Sequence, residues 1–468
     1  MQLTPRRHEL ISCLLLGVAT LFMYLAYHTQ AFITEAVVKS KHERNSTIDE
    51  FAGYKGQAIH NAAFAIASLF TPALLHYLSS KWVLVLAGIF FSFYHIGFLV
   101  PFNIYYFYAT QVLMGLAYSL YNNGEGAYLA EHSSRRTAES NAGIETAVGH
   151  TSMLGGGLCM IAVFLFFPHV SNAAINKTSD FRAFEEFDIK TIFGTFFISS
   201  IVGIVLFALL PNKQQPDSIA NNSPRVIPGM KQHFKNLYLA IIHTNSLLLG
   251  VTFIYMGLIV SFMLGVYPTT LSFTSSLKND HYIVAIYACC VGIGEALGGL
   301  FLRPVIKRCG NYKLITTMFF HIVVVITLLL LAFLSVPDRA TFAISKDDHL
   351  LLTPSRWIAS VIGILIGLAD YTITMARAVI CQYAIPESRS EVFSLARLYQ
   401  CISSSIVLAI SSHLTVTYWL IILLIGLIAG TATFVVVERR TNADSGKIAL
   451  KNDETPIEED VREESSVV

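Results

Sequence analysis

Charged residues are scarce in this chain. Asp, Glu, Lys and Arg together make up 13% of the 468 residues, whereas about a quarter of an ordinary soluble domain is charged. Hydrophobic residues make up 54%, which leaves too few polar side chains to cover a soluble shell. The composition excludes a soluble globular protein and indicates a chain whose surroundings are a lipid bilayer.

Other features are missing as well, and each absence removes a class of function. The net charge is only +1 and the basic residues are scattered in loops, so we expect no nucleic-acid partner. There is no Walker loop, nucleophile elbow, HExxH or paired CxxC motif, so we predict no enzymatic activity, no cofactor and no metal site. The seven cysteines all fall in predicted helices or cytosolic loops and offer no exofacial disulfide framework.

Long hydrophobic stretches recur along nearly the whole chain. About twenty apolar residues suffice to cross a hydrocarbon core of about 30 Å, and the most economical count is twelve spans in an all-α membrane protein. The second and fifth spans are the least secure because they carry polar side chains. The predicted spans are roughly 10–35, 55–78, 82–101, 103–130, 140–167, 190–210, 241–272, 282–302, 313–335, 355–384, 391–412 and 415–437.

A polar stretch divides the spans into two groups of six. Residues 211–240 contain KQQPDSIANNSPRVIPG, whose Pro, Asn and Ser content is typical of a linker. We therefore predict a six-helix bundle at 1–210, a cytosolic linker at 211–240 and a second six-helix bundle at 241–437. The remaining residues, 438–468, are predicted to form a disordered acidic cytosolic tail.

Loop composition predicts that both termini lie in the cytosol. Lys and Arg are modestly enriched in the loops that this orientation places there. Asn45 and Asn176 each begin an Asn-x-Ser/Thr acceptor sequence, and both fall in the longer loops on the opposite side, where we expect N-glycosylation. The last three residues, Ser466, Val467 and Val468, match the pattern that a PDZ domain binds as an added strand.

The two groups of spans carry signs of an internal repeat. The tripeptide Gly-Leu-Ala at 115–117 recurs 252 residues later at 367–369, and repeats of this kind are the usual construction of transporter folds. Glycines cluster at 155–157 in span five and at 292–299 in span eight. Small residues let membrane helices approach closely, so these two spans are predicted to pack across the seam between the halves. The alternative is that glycine is simply frequent in membrane helices.

Two acids and two arginines inside the spans occupy equivalent positions in the two halves. The same offset places Glu125 opposite Arg377 and Glu145 opposite Arg397. An ionised group in a membrane helix costs about 2.5–3.5 kcal/mol, so such groups pair or line a wet cavity. The layout resembles the major facilitator superfamily, in which spans four and eleven, and spans five and ten, approach one another. That resemblance predicts cross-half salt bridges of Glu125 with Arg397 and Glu145 with Arg377, the alternative being snorkelling to the cytosolic interface.

Further polar residues are predicted at membrane depth. Asp370 in span ten and Glu295 in span eight are candidate proton or cation sites, although Asp370 also fits a structural hydrogen-bond acceptor. Asn122 and Asn123 belong to the run 121–126, whose two glycines and two asparagines weaken a helix. This run predicts either a bend toward a central cavity or a kinked but continuous helix.

A family resemblance appears at the end of span four. The segment GEGAYLA at 124–130, with SNAGI at 140–144, resembles the GQGxYLT and RNSGI-like pattern of the uncoordinated-93-like family of ion channel regulatory proteins. Glu125 stands where the family commonly has Gln, and Ala130 where it often has Thr. The resemblance implies a major-facilitator-like fold and a role as a regulatory subunit of a potassium channel or an escort of membrane proteins.

The loop between spans two and three bears on the choice of function. Active major facilitators usually carry a GxxxDRxGR-like signature there, but this loop reads ALLHYLSSKWV, with His76 near the expected Asp and no arginine. Its loss and the family resemblance favour a non-enzymatic accessory protein of another membrane protein. The alternative is a secondary transporter of a small solute, coupled to protons or cations, with Asp370, Glu295 and the Asn122–Asn123 region at a central cavity.

Overall fold

The structure is a computed structural model, and some segments of the chain lie outside its description. His76, Asn176 and the three C-terminal residues are among them, so the predictions made for these positions lie outside the described residues. The structure describes residues 4–75, 77–100, 102–134, 136–149, 151–167, 183–212, 218–222, 230–302, 308, 313–346, 351–385 and 388–453.

Long helices account for most of the described residues, and we number them α1 to α12 in chain order. The first six are α1 (Pro5–Arg44), α2 (Ala52–Ser68), α3 (Ser80–Leu99), α4 (Ile104–His132), α5 (Ala138–Gly149 and Ser152–Phe166) and α6 (Glu186–Ala208). The other six are α7 (Thr244–Ser261, a π turn at Phe262–Val266, and Tyr267–Phe273), α8 (Ile283–Leu297 and a π turn at Gly298–Leu302), α9 (Lys313–Ser335), α10 (Arg356–Tyr383), α11 (Arg389–Ile410) and α12 (Val416–Asp453). A shorter helix, Met230–Ile242, lies in the predicted linker region.

Ten of the described helices are long and apolar enough to cross a membrane. By length and composition alone, the predicted count of twelve spans is therefore not confirmed. The two that fall short are α2, which has 17 residues, and α4, which is rich in Tyr and Asn. The fifth span, which we predicted to be insecure, meets the criterion as Ser140–Phe166. Both helices that fall short place polar residues toward the interior of the protein, which lowers their mean hydropathy.

The outer surface of the helices is apolar. On α12, for example, Ile421, Ile425 and Ile428 are 47%, 62% and 62% exposed, and their spacing of three and four residues places them on one face. Soluble proteins rarely expose such continuous apolar surface. The chain is therefore a multi-pass membrane protein whose exposed faces contact lipid.

Helix packing in the second half repeats that in the first. Within α1–α6 the closely packed pairs are α1 with α5, α1 with α6, α2 with α4, α3 with α4, and α3 with α6. Within α7–α12 they are α7 with α11, α7 with α12, α8 with α10, α9 with α10, and α9 with α12. Each pair in the second set is a pair of the first set shifted by six helices, as an internal repeat requires.

The seam between the halves consists mainly of α2 against α11 and α5 against α8. A Cβ atom on Gly157 of α5 would lie 2.5 Å from the Sγ atom of Cys289, and one on Gly292 of α8 would lie 2.5 Å from the backbone nitrogen of Leu154. Real Cβ atoms do not approach so closely, so glycine is required at both positions for this contact. The predicted packing of spans five and eight across the seam is confirmed, although Gly294 faces α10 in its own half.

Hydrogen bonds also join the halves. The hydroxyl of Ser405 on α11 donates to the carbonyl oxygen of Ala58 on α2 at 2.9 Å. The hydroxyl of Tyr54 on α2 donates to the carbonyl oxygen of Thr341, in the loop after α9, at 2.8 Å.

At the far end of the chain, α12 continues to Asp453, beyond residue 437 where we predicted the last span to end, because the polar stretch that follows contains many helix-forming residues.

Candidate functional site

A polar cavity of about 70 Å³ lies between the two halves, beside the contact of α2 with α11. Helices α1 to α4 form its walls on one side, and α7 and α11 form them on the other. The residues that line it include Tyr27, Ala31, Gln57, His60, Asn61, Phe64, Tyr94, Tyr118, Ser261, Leu264, Arg397, Gln400, Cys401, Ser404 and Leu408.

Two helices supply most of the polar lining. On α2 these are Gln57, His60 and Asn61, and on α11 they are Arg397 and Gln400. Spacings of three and four residues place such side chains on one face of a helix. Sequence reasoning did not single out Gln57, His60, Asn61 or Gln400 as site residues. Polar residues repeated at helical spacing within an otherwise apolar span are the sequence pattern that could have predicted them.

Aromatic rings close the other side of the cavity. The ring centroids of Tyr27 and His60 lie 5.7 Å apart, and those of His60 and Tyr118 lie 5.8 Å apart. Phe64 packs on Tyr118 at 5.2 Å. Such rings combine a large apolar surface with a polar tip, so the cavity offers both apolar and hydrogen-bonding surface to a bound molecule.

Arg397 links the two halves at this cavity. Its Nη2 atom donates to the Oδ1 atom of Asn122 on α4 at 3.3 Å, and its Nη1 atom donates to Oε1 of Gln400 at 3.3 Å. Arg377 of α10 donates to the same Oε1 atom at 3.4 Å, and its buried Nε atom has no acceptor among the described residues. Two guanidinium groups of the second half therefore share one neutral oxygen.

The corresponding acids of the first half also converge. Glu125 on α4 and Glu145 on α5 lie close enough for their carboxyl groups to interact, and Tyr121 lies near Glu125. The Tyr121 hydroxyl lies 2.8 Å from the Thr20 hydroxyl of α1. Glu145 is buried. The structure thus places the two acids together in one half and the two arginines together in the other.

All four of these side chains belong to the described residues, and their contacts bear on the two predicted cross-half pairs. Arg397 lies near enough to Glu125 for a Coulombic attraction. However, the ion pairs within 4.0 Å among the described residues include neither Glu125 with Arg397 nor Glu145 with Arg377. The seam brings α11 against α2 and α8 against α5, and the hydrogen bond from Arg397 to α4 goes to Asn122. Direct pairing stays a prediction.

The other predicted acids lie away from the cavity wall. Asp370 of α10 is half-buried and near enough to Arg377 for a Coulombic interaction. Glu295 is buried on α8, which packs on α10 in the same half. Neither residue belongs to the cavity lining.

The two asparagines of α4 face different neighbours. Asn122 accepts the hydrogen bond from Arg397 described above, whereas the amide of Asn123 donates to the Thr71 hydroxyl at 2.8 Å and to the Ser119 carbonyl at 2.9 Å. The helix is continuous through both residues. Of the two alternatives for this run, the structure therefore has the continuous helix.

Asn45 occupies an accessible position. It follows the last residue of α1 and is exposed, and its Oδ1 atom accepts a hydrogen bond from the Thr47 hydroxyl at 2.8 Å. Exposure in a loop is what the glycosylation prediction requires for this residue, and glycosylation itself stays a prediction.

Glu35 is a buried acid that the sequence analysis did not predict as a structural residue. Glu35 of α1 is 2% exposed and accepts a hydrogen bond from the backbone nitrogen of Tyr54 at 2.7 Å. Phe51, the residue before α2, provides no side-chain cap, so Glu35 supplies from another helix the acceptor that the first turn needs. A Cβ atom on Gly53 would lie 2.9 Å from the backbone Cα atom of Glu35, which is closer than real Cβ atoms approach and explains the glycine there.

Comparisons with known proteins agree with this fold. The peptide transporter POT, solved in complex with sulfate, aligns with a TM-score of 0.60 at 10% identity over 94% of this chain and 99% of that chain. The nucleoside transporter NupG aligns with a TM-score of 0.52 at 16% identity over 92% of this chain and 98% of that chain. At such identities the likeness shows the fold alone, which is major-facilitator-like, as predicted.

Relatives in sequence identify the family. The UNC93-like protein MFSD11 of Xenopus laevis is 26% identical over 453 residues, which cover 93% of this chain and 97% of that protein. The family model described as ion channel regulatory protein UNC-93 matches residues 44–435. Since this match spans most of the described helices, the chain belongs to the UNC-93 family.

Proposed function

We propose that this chain is a secondary transporter that moves a small polar solute through the cavity between its two halves. One observation carries the proposal: the cavity lies at the seam, and both halves supply polar side chains to it, such as Asn61 from α2 and Arg397 from α11. In transporters built from repeats, the halves rock around a site of this kind and expose it to each side of the membrane in turn. The fold shared with peptide and nucleoside transporters supports the proposal.

The predicted bundles, linker, orientation and salt bridges are parts of this proposal. The bundles at 1–210 and 241–437 are the two moving bodies, joined by the linker at 211–240, with both termini and the tail at 438–468 in the cytosol. In the proposed cycle, the salt bridges of Glu125 with Arg397 and of Glu145 with Arg377 form in a second conformation, in which α4 approaches α11 and α5 approaches α10.

We expect a variant that fills the cavity to stop transport. Ala31 lines the cavity, and the three extra carbon atoms of Ala31→Leu would occupy much of its volume of about 70 Å³. In proteoliposomes given a mixture of small polar solutes, the unmodified chain should accumulate at least one of them, and Ala31→Leu should reduce that uptake by about tenfold or more, since a lost binding mode of about 1.4 kcal/mol corresponds to tenfold. Mass spectrometry of the vesicle contents measures the uptake.

The matched control is the same substitution at an exposed site. Ala147 on α5 is exposed, so Ala147→Leu should retain uptake. Equal uptake by Ala31→Leu and the unmodified chain would count against a route through this cavity. Folded protein in vesicles that accumulates none of the solutes would count against transport as such.

A second candidate function is the regulation of an ion channel of the potassium type or the escort of membrane proteins. The description of the matching family model as an ion channel regulatory protein favours it. In this role lipid-facing or loop surfaces of the chain would bind the partner, so Ala31→Leu should co-purify with the partner as well as the unmodified chain does. Proximity labelling in intact cells, followed by pull-down of integral membrane proteins, separates this candidate from the first.

A further inference from the structure

Two arginines near the cavity are under-supplied with hydrogen-bond acceptors. A guanidinium group has five N–H donors. Arg377 and Arg397 both direct a donor to Oε1 of Gln400, at 3.4 and 3.3 Å, and Arg397 adds one contact to Asn122 at 3.3 Å. The acceptors are neutral amides and the distances are long for charge-assisted hydrogen bonds. The Nε atom of the buried Arg377 has no acceptor among the described residues.

The nearby acids do not take up this donor capacity. Glu125 acts on Arg397 and Asp370 acts on Arg377 through Coulombic attraction, but none of the ion pairs formed within the described residues includes either arginine. A buried cation without a contacting anion is costly. Arg397, which lines the cavity, therefore has both the charge and the donor capacity to bind an anion there, and Arg377 adds a second positive charge beside the shared oxygen of Gln400.

The size and the walls of the cavity restrict which anion fits. An engineered cavity of about 150 Å³ holds benzene, so a cavity of about 70 Å³ fits a smaller ligand of a few non-hydrogen atoms. Tyr27, Tyr118, Leu264 and Leu408 line it beside Arg397, and these walls favour a ligand with a short apolar body. The planar fork of a guanidinium group matches a carboxylate with two parallel hydrogen bonds.

We infer that the cavity is a binding site for a small monocarboxylate, with the carboxylate held by Arg397 and supported by Arg377. Gln400 positions both guanidinium groups through its shared oxygen, and the tyrosine rings contact the short hydrocarbon part of the ligand. The inference names the substrate class of the proposed transporter and rests on that function only for the movement of the ligand, since binding can be measured separately.

Cys401 provides a direct measurement of binding. It lines the cavity and is buried, so a ligand in the cavity should protect its thiol. In full-length protein with the other cysteines replaced by serine, sodium propionate should slow alkylation of Cys401 by a small neutral reagent, and the protection should saturate. Propionamide, which has the same size without the charge, should protect at least about tenfold more weakly, and hexanoate should protect less because it exceeds the cavity.

Substitutions test the assigned residues. Arg397→Lys retains the charge but loses the fork, and it should weaken protection by propionate about tenfold. Arg377→Lys should weaken it less. The matched control is Arg356→Lys, because Arg356 lies at the start of α10 in an exposed ion pair with Asp280 and should not affect protection.

Each contrary result has a distinct meaning. Equal protection by propionamide and propionate would overturn the anion site, and equal protection by chloride or phosphate would overturn its assignment to carboxylates. Vesicle uptake of neutral solutes with no protection by any carboxylate would overturn this inference and leave the proposed transport standing. Protection by propionate without any uptake would support the site and count against transport.

Discussion

Replacing either Glu125 or Glu145 alone with glutamine should change the stability of the protein little, whereas replacing both should cost about 2.5–3.5 kcal/mol, the insertion cost of one uncompensated charge. The two carboxyl groups lie close enough to interact. Because two neighbouring carboxylates repel each other in a low-dielectric interior, we expect the pair to share one proton and to carry about one negative charge. Either acid alone supplies that charge opposite the arginines of the second half, and the double variant removes it.

A double-mutant cycle measures this non-additivity. Thermal unfolding of the unmodified chain, the variants Glu125→Gln and Glu145→Gln, and the double variant should show a double effect that clearly exceeds the sum of the single effects. A matched cycle at the loop acids Asp49 and Glu50, which pair separately with Lys55 and Lys39, should give small and additive effects. If the Glu125 and Glu145 effects also prove additive, the two acids act independently and the shared proton is wrong.

Alanine in place of Gly157 should destabilise the protein, although alanine is about 1 kcal/mol better than glycine in an ordinary helix. The added Cβ atom would lie 2.5 Å from Sγ of Cys289 and 2.6 Å from the carbonyl oxygen of Ala285. Because one of these atoms belongs to the backbone, α5 and α8 must separate to accommodate it. Overpacking of this kind typically costs about 1–3 kcal/mol, and the separation should expose the seam.

The thiol of Cys289 reports on the separation. It is buried in the seam, so Gly157→Ala should speed its alkylation while the core thiol of Cys13, which is 0% exposed, stays unreactive. The matched control is Gly126→Ala on α4, since a Cβ atom there meets nothing within 4 Å and should leave both stability and labelling unchanged or slightly improve stability. An unchanged Cys289 labelling rate in a destabilised Gly157→Ala would contradict an opening at this seam.

Hydropathy predicts most of the helices because membrane thickness fixes their length. The seventh span, predicted at 241–272, is observed from Thr244 to Phe273, and the sixth, predicted at 190–210, is observed from Glu186 to Ala208. The same rule fails for α2 and α4, whose polar residues face the interior. A window of mean hydropathy does not distinguish a polar face toward a cavity from a helix that is too polar to span.

The partners across the seam are harder to predict. The offset of 252 residues relates Glu125 to Arg377 and Glu145 to Arg397. These residues lie on helices that correspond in the repeat, α4 with α10 and α5 with α11, but that correspondence does not say which helices meet. Contact depends on how each helix is rotated, and that follows from small residues such as Gly157 at close approaches. Neutral side chains such as Gln400, which holds both arginines, carry no charge signal in the sequence and were therefore missed.

The π turn of α7 has a consequence for motion. It occupies Phe262–Val266, directly after Ser261 at the cavity wall, and the carbonyl oxygen of Met263 within it accepts a hydrogen bond from the Tyr287 hydroxyl at 2.8 Å. Such a turn inserts one residue, which shifts the helix phase by about 100°, the angle one residue subtends. The segments of α7 on the two sides of this turn therefore present different faces to their neighbours. In the proposed rocking motion, Tyr267–Phe273 should keep its contact with α1 while Thr244–Ser261 tilts about the turn.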